Sequence, residues 1–210
     1  KSKLWKTLAH VATEGEQGVL GLALDPRWPE KKWVYVYYTH ADPLNNRVIR
    51  LRKQSDGSFQ RQRLLTAPAA SNHNGGTIRF GPDGKLYVVI GETGDPALAQ
   101  DLSSRAGKVL RLNKNGDIPS DNPQDGTVKW YSYGHRNMFG LAFDPLDLTP
   151  ETIEPWVTEN GPECNDEINR VEQGLNYGWG DEASCPETNN SGADPVAPIY
   201  TWDDPIAVTG

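Results

Sequence analysis

The chain has 210 residues, long enough for one large all-β unit or two small domains. Hydrophobic residues make up 36% and the mean hydropathy is −0.65, so no stretch reads as a membrane-spanning helix. The net charge of −7, with acids and bases interspersed, argues against nucleic acid or an anionic membrane surface as a partner and is compatible with binding cations.

Lys1-Ser2-Lys3-Leu4-Trp5 lacks an apolar signal core, so an export peptide is expected to be already removed or omitted. Helical periodicity is nearly absent, and the best candidate, Pro96 to Ser104, is short. Elsewhere β-rich runs alternate with Gly, Pro, Asn and Asp turns. Gly21 to Asp25-Pro26 precedes Lys32 to Tyr38, and Thr77 to Gly81-Pro82 precedes Leu86 to Ile90. Gly140 to Asp144-Pro145 precedes Glu154 to Thr158. Each copy reads strand, Asp-Pro or Gly-Pro turn, strand, and further strands lie between copies at Arg47–Arg52 and Lys108–Leu112. A strand pair repeated at that length predicts a β-propeller, with about four blades in the chain; the competing reading is a β-sandwich with coincidental turns. The whole of 1–210 is expected to be a single β-propeller domain, apparently incomplete.

Asn72-His73-Asn74-Gly75-Gly76 enters the second copy, and Glu92 closes its hairpin at the same end. A histidine on a Gly-rich loop above a rigid hairpin suits proton transfer. By residue type alone, a loop histidine bonded to backbone is the commoner arrangement. Cys164 and Cys185 make no CxxC or zinc pattern, and their polar, Gly/Pro-rich loop favours a disulfide over two buried thiols. Asn189-Asn190-Ser191 is a formal glycosylation sequon of a kind common by chance.

Five segments, in order, carry a resemblance: Gly15-Glu16-Gln17-Gly18-Val19-Leu20-Gly21; His73-Asn74-Gly75-Gly76 through Glu92; Gly107 to Leu112; Tyr133-Gly134-His135-Arg136-Asn137-Met138-Phe139-Gly140; and Glu159-Asn160-Gly161-Pro162 through Asp166-Glu167 to Asn176-Tyr177-Gly178-Trp179-Gly180. The chain resembles the glucose/sorbosone dehydrogenase family, soluble quinoproteins that use pyrroloquinoline quinone (PQQ), above all its aldose sugar dehydrogenases. The resemblance implies a six-bladed propeller with PQQ on one face, of which this chain holds a part. It implies oxidation of an aldose at C1 to the lactone, hydride passing to PQQ and then electrons to an external acceptor. It places the protein in the periplasm or outside the cell.

Residue by residue, the resemblance makes His73 the general base, with Glu92 where the family usually carries aspartate. Imidazole's ordinary pKa of about 6.5 suits that task. Arg136 and Asn137 match the pair that contacts the quinone, and a guanidinium beside a quinone oxygen stabilises the charge that grows there. Gln17 matches a glutamine lining the same pocket, and His135 reads as structural. The carbonyls of Gly161 and Pro162 match ligands of the Ca²⁺ under PQQ, with Asp166 acting through water. Glu167 and the Tyr177 carbonyl suggest a second, structural Ca²⁺, with the Ala183 carbonyl and Glu187 as weaker companions. Outside that context Asp166 and Glu167 read as a solvated acidic turn, and Trp179 as blade packing. Two other functions fit a calcium-binding propeller: lactone hydrolysis, and non-enzymatic ligand or protein recognition.

Overall fold

The computed structural model describes residues 3–146 and 153–209. Among the described residues, twelve strands form three four-stranded antiparallel sheets, each an up-and-down meander. The first holds β1 (Val19–Leu24), β2 (Val34–Ala41), β3 (Leu44–Lys53) and β4 (Phe59–Ala67). The second holds β5 (Ile78–Phe80), β6 (Leu86–Ile90), β7 (Lys108–Leu112) and β8 (Trp130–Tyr133). The third holds β9 (Met138–Ala142), β10 (Trp156–Glu159), β11 (Asp166–Arg170) and β12 (Tyr200–Trp202). Strand β1 lies beside β5, and β5 beside β9, so the first strands gather on one side, as in blades around an axis.

The packing excludes a two-sheet sandwich. Along β6, Leu86, Val88 and Ile90 enter a core shared with Tyr35, Tyr37 and Val48 of the first blade. The alternate residues Tyr87 and Val89 enter a second core with Met138, Leu141 and Val157 of the third blade. A period of two thus sends each side of the middle blade to a different neighbour, which is why β6 and β7 are buried throughout. The repeated turns have a common cause. Asp25, Asp83 and Asp144 each accept a hydrogen bond from the backbone N–H two residues on, at Arg27, Lys85 and Leu146.

The described residues complete three four-stranded blades where the repeat suggests about four. The first strands begin at Val19, Ile78 and Met138, roughly 60 residues apart, against the ~40–50 of familiar blade repeats. Long connections account for the difference, and they build the site. In an up-and-down blade, the connection entering the first strand and the one between second and third strands emerge at the same end. Residues up to Gly18, the 68–77 and 134–137 segments, the β6–β7 connection and the β10–β11 connection therefore share one rim. The β6–β7 connection contains the short helix Ala97–Gln100. Buried Lys108 pins it by donating to the carbonyls of Leu98, Ala99 and Ala106 at 2.8–2.9 Å. Burial draws that ammonium down to about 7, against a weaker upward pull from Asp101.

Candidate active site

The His73 loop is held from below. Asn74 is fully buried and bonds Ala70 and Asn46, while the Tyr37 hydroxyl donates to the Asn74 carbonyl at 2.8 Å. Gly75 has φ +59°, and a Cβ there would sit 2.7 Å from the Val89 carbonyl, so only glycine lets the loop lie on the end of β6. His73 itself has φ +51°. Its Nδ1 faces both Glu92 oxygens, at 2.7 and 2.8 Å, with 14% of the histidine side chain exposed and 2% of Glu92. The longer acid at position 92 reaches the imidazole fully. An acceptor-only carboxylate fixes the proton on Nδ1 and leaves Nε2 free to accept one.

Glu92 also ties this loop to the next. Its N–H donates to the Arg136 carbonyl at 2.8 Å, and the following N–H, of Thr93, donates to the His73 carbonyl at 3.2 Å. Gly91 is wedged between the two: a Cβ there would lie 2.4 Å from the His73 oxygen and 2.9 Å from the Arg136 oxygen. The histidine and the arginine, from different blades, thus belong to one rim.

Arg136 donates through Nη1 to the carbonyls of Asn160 (2.9 Å) and Gly161 (2.8 Å), and its backbone N–H donates to Glu159. The guanidinium carbon lies 5.3 Å from the Trp179 ring centroid. Burial lowers its affinity for the proton, while Glu92, Glu159, Glu16 and Asp166 raise it. Arg136 Nε, Asn137 Oδ1, Asn160 Oδ1 and Trp179 Nε1 are buried without a hydrogen-bond partner. His135 is fully buried between Glu159 and the Ser132 hydroxyl and stacks on Tyr177 at 4.8 Å, the structural place expected of it.

Gln17 bonds the loop before His73: its amide donates to the Ala70 carbonyl and accepts from Glu14 N–H. The carboxylate that enters the site from this segment is Glu16, which accepts from His73 N–H at 2.7 Å and lies 3.3 and 3.5 Å from Asn137 Nδ2. Glu16, Glu159 and Trp179 were not singled out by the sequence as site residues, although each lies inside a segment that carries the resemblance.

Asp166 and Glu167 are not a solvated turn. They open β11 and are buried. Asp166 Oδ1 accepts from Gly161 N–H, and Oδ2 from the N–H groups of Ile206 and Ala207. Glu167 stands directly opposite Glu159 in the β10–β11 register. Burial first, and then the Glu159 charge, push the Glu167 carboxyl up to about 8. Its oxygens meet Asn169, Asn189 and Thr188, and Asn189 Nδ2 also bonds the Tyr177 carbonyl at 2.8 Å. That amide nitrogen is the sequon's acceptor, so it is engaged rather than presented. Ala183 is half-buried and Glu187 exposed. Among the described residues no three His, Cys, Asp or Glu side chains converge as a metal cluster. Cys164 and Cys185 form a disulfide with Cα atoms 6.0 Å apart. Closing that loop contributes roughly 3 kcal/mol. It anchors Asn165, whose amide donates to Pro186 and Thr188 across the loop. No described helix is long and apolar enough to cross a membrane.

The sequence model of the family described as Glucose / Sorbosone dehydrogenase matches residues 1–210. Quinoprotein glucose dehydrogenase B of Acinetobacter calcoaceticus is 34% identical over 79% of this chain and 40% of its own length. Aldose sugar dehydrogenase YliI of Escherichia coli is 30% identical over 95% of this chain and 58% of its own. Among solved structures, the PQQ-bound aldose sugar dehydrogenase of Streptomyces coelicolor superposes with a TM-score of 0.80 at 36% identity, covering 93% of this chain and 56% of that one. The chain spans about half the length of the relatives it matches.

Proposed function

The chain belongs to the glucose/sorbosone dehydrogenase family, and from that premise we propose that the protein oxidises aldose sugars at C1 to the lactone, using PQQ and Ca²⁺. The observation that supports this reading best is the His73–Glu92 pair, tied at one rim to the Arg136 loop by the bond from Glu92 N–H to the Arg136 carbonyl.

The residues suit a quinone. Arg136 Nε and Trp179 Nε1 are buried donors that quinone or carboxylate oxygens would satisfy, while Asn137 Oδ1 and Asn160 Oδ1 are acceptors that a ring N–H or a cation would meet. A bound PQQ would supply the hydride acceptor for the sugar's C1. His73 Nε2 accepts the proton of the C1 hydroxyl. Glu92 keeps the ring in that tautomer and stabilises the imidazolium that results. Arg136, held by two carbonyls and by Trp179, offers fixed positive charge where negative charge develops.

Calcium suits the oxygen donors present. The Gly161 carbonyl accepts one bond from Arg136 and keeps a second lone pair for an ion, with Pro162 beside it. Glu167, the opposed Glu159 and the Tyr177 carbonyl suit a second ion, since two buried carboxylates in register call for a cation. We place the protein in the periplasm or outside the cell, where a disulfide such as Cys164–Cys185 persists.

The test is reconstitution of the full-length protein with PQQ and Ca²⁺, followed by dye reduction with aldoses. Wild type is expected to turn over, and His73→Ala to lose about 10²–10⁴-fold in kcat. A wild-type protein whose aldose-dependent rate is no higher than that of His73→Ala sinks the proposal. Quinone binding without bleaching by sugar would indicate a recognition propeller instead.

A further inference from the structure

We infer that Glu16 is a positioning residue that sets the general base and the cofactor-facing amide in register; the inference rests on the dehydrogenase reading of the site. Two carboxylates hold His73 from two sides. Glu92 grips the imidazole, and Glu16 grips the peptide, accepting His73 N–H at 2.7 Å. That peptide needs holding, because His73 has φ +51°, a left-handed conformation rare for residues other than glycine. The second contact of Glu16 is with another blade junction: Asn137 Nδ2 lies 3.3 and 3.5 Å from its two oxygens. A carboxylate accepts and does not donate. It therefore fixes the Asn137 amide with nitrogen toward Glu16 and leaves the buried, unpartnered Oδ1 pointing elsewhere.

The segment bearing Glu16 is built to deliver it there. Glu16 N–H donates to the Ser71 carbonyl at 2.7 Å, and Gln17 Nε2 donates to the Ala70 carbonyl at 2.9 Å. Gly15 has φ +57°, and a Cβ on it would fall 2.2 Å from the Ser71 oxygen. The turn before β1 is thus seated on the loop before His73, and one half-buried acid links three parts of the rim. His73 N–H and the nearer Asn137 Nδ2 contact both fall on Glu16 Oε2, so glutamine could keep them only as a neutral, weaker acceptor with its Nε2 set about 3.5 Å from Asn137 Nδ2, donor against donor. Alanine would remove both.

The experiment uses the full-length protein and compares wild type, Glu16→Gln and Glu16→Ala. Exchange of the His73 amide proton is followed by NMR, and kcat and KM for an aldose by dye reduction with PQQ and Ca²⁺ present. Glu16→Ala is expected to speed His73 amide exchange at least about tenfold, in line with one lost hydrogen bond to a charged acceptor. Its kcat should fall about ten- to a hundredfold through misplacement of the base, with KM changed far less. Glu16→Gln should lie between the two. Unchanged His73 exchange in Glu16→Ala, or a kcat within twofold of an active wild type, overturns the inference. Should Glu16→Ala not fold, wild-type exchange and turnover in Glu16→Gln overturn it instead. A wild type inactive on every aldose would sink the dehydrogenase reading separately, while the exchange data would still decide whether Glu16 holds His73.

Discussion

The two sides of the rim are finished to different degrees. On the His73 side the polar groups satisfy one another: Glu92 holds the ring, Glu16 the peptide, and Asn74 is bonded through both ends of its amide. On the Arg136 side Nε of the guanidinium, Asn160 Oδ1, Asn169 Oδ1 and Trp179 Nε1 lack partners, and two buried glutamates face each other across β10 and β11. A base must be preorganised before its substrate arrives, so its network is closed in the protein alone. A surface that receives a ligand or an ion keeps polar groups free for it. On the proposed reading, in which His73 is the base, the difference separates the part of the site that acts from the part that binds.

The sharpest test of the closed side is Glu92→Gln. The amide preserves size but can donate to Nδ1, which permits the tautomer with Nε2 protonated and so removes the proton acceptor. We expect kcat to fall about 10²–10⁴-fold with PQQ affinity little changed. A rate within a few-fold of wild type would mean that the pair is a structural ion pair. On the open side, Arg136→Ala should lower kcat about 10²–10³-fold and weaken PQQ binding in an absorbance titration, because here one residue both binds and stabilises charge. Lysine should not rescue it: its ammonium can meet the Asn160 and Gly161 carbonyls as Nη1 does, but it supplies nothing in place of the buried Nε and no planar group over Trp179.

The same contrast governs what was legible in the sequence. The blades could be read because the turn acids at 25, 83 and 144 act within two residues of themselves. The blade count was harder, because connections such as 91–107 lengthen the period. Strand β11 was read as a loop of ligands because Asp-Glu-Ile-Asn-Arg has no apolar alternation. Its first acid is satisfied by N–H groups at 161, 206 and 207, none of them local enough for a pattern to reveal. In the segment Glu16-Gln17 the motif identified the turn, but adjacent side chains leave a turn in different directions. The seating of Gly15 on Ser71, which no local pattern reveals, sets how the two side chains meet the His73 loop. The His73–Glu92 pair was legible because a hairpin brings its two ends together by construction.

The smallest effect we predict concerns the opposed glutamates, and its sign follows from linkage. Burial and Glu159 hold the Glu167 carboxyl at about 8, above its ordinary 4.5. Between those values the folded protein keeps a proton that the unfolded chain has released. Raising the pH through that window therefore favours the unfolded state: the contribution is fully present below about 4.5 and is lost as the pH approaches 8. In chelator-treated protein the Tm should fall from pH 5 to 8, and Glu167→Gln should flatten that slope, since an amide has nothing to titrate. Calcium reverses the dependence. It needs the carboxylate charged, so its stabilising effect should grow across the same window in wild type and shrink in the variant. Thermal melts of both proteins at several pH values, with EDTA and with Ca²⁺, distinguish the cases. A wild-type slope unaffected by either calcium or the substitution would mean that the Asn169, Thr188 and Asn189 hydrogen bonds already offset the burial of Glu167, and that no cation is needed there.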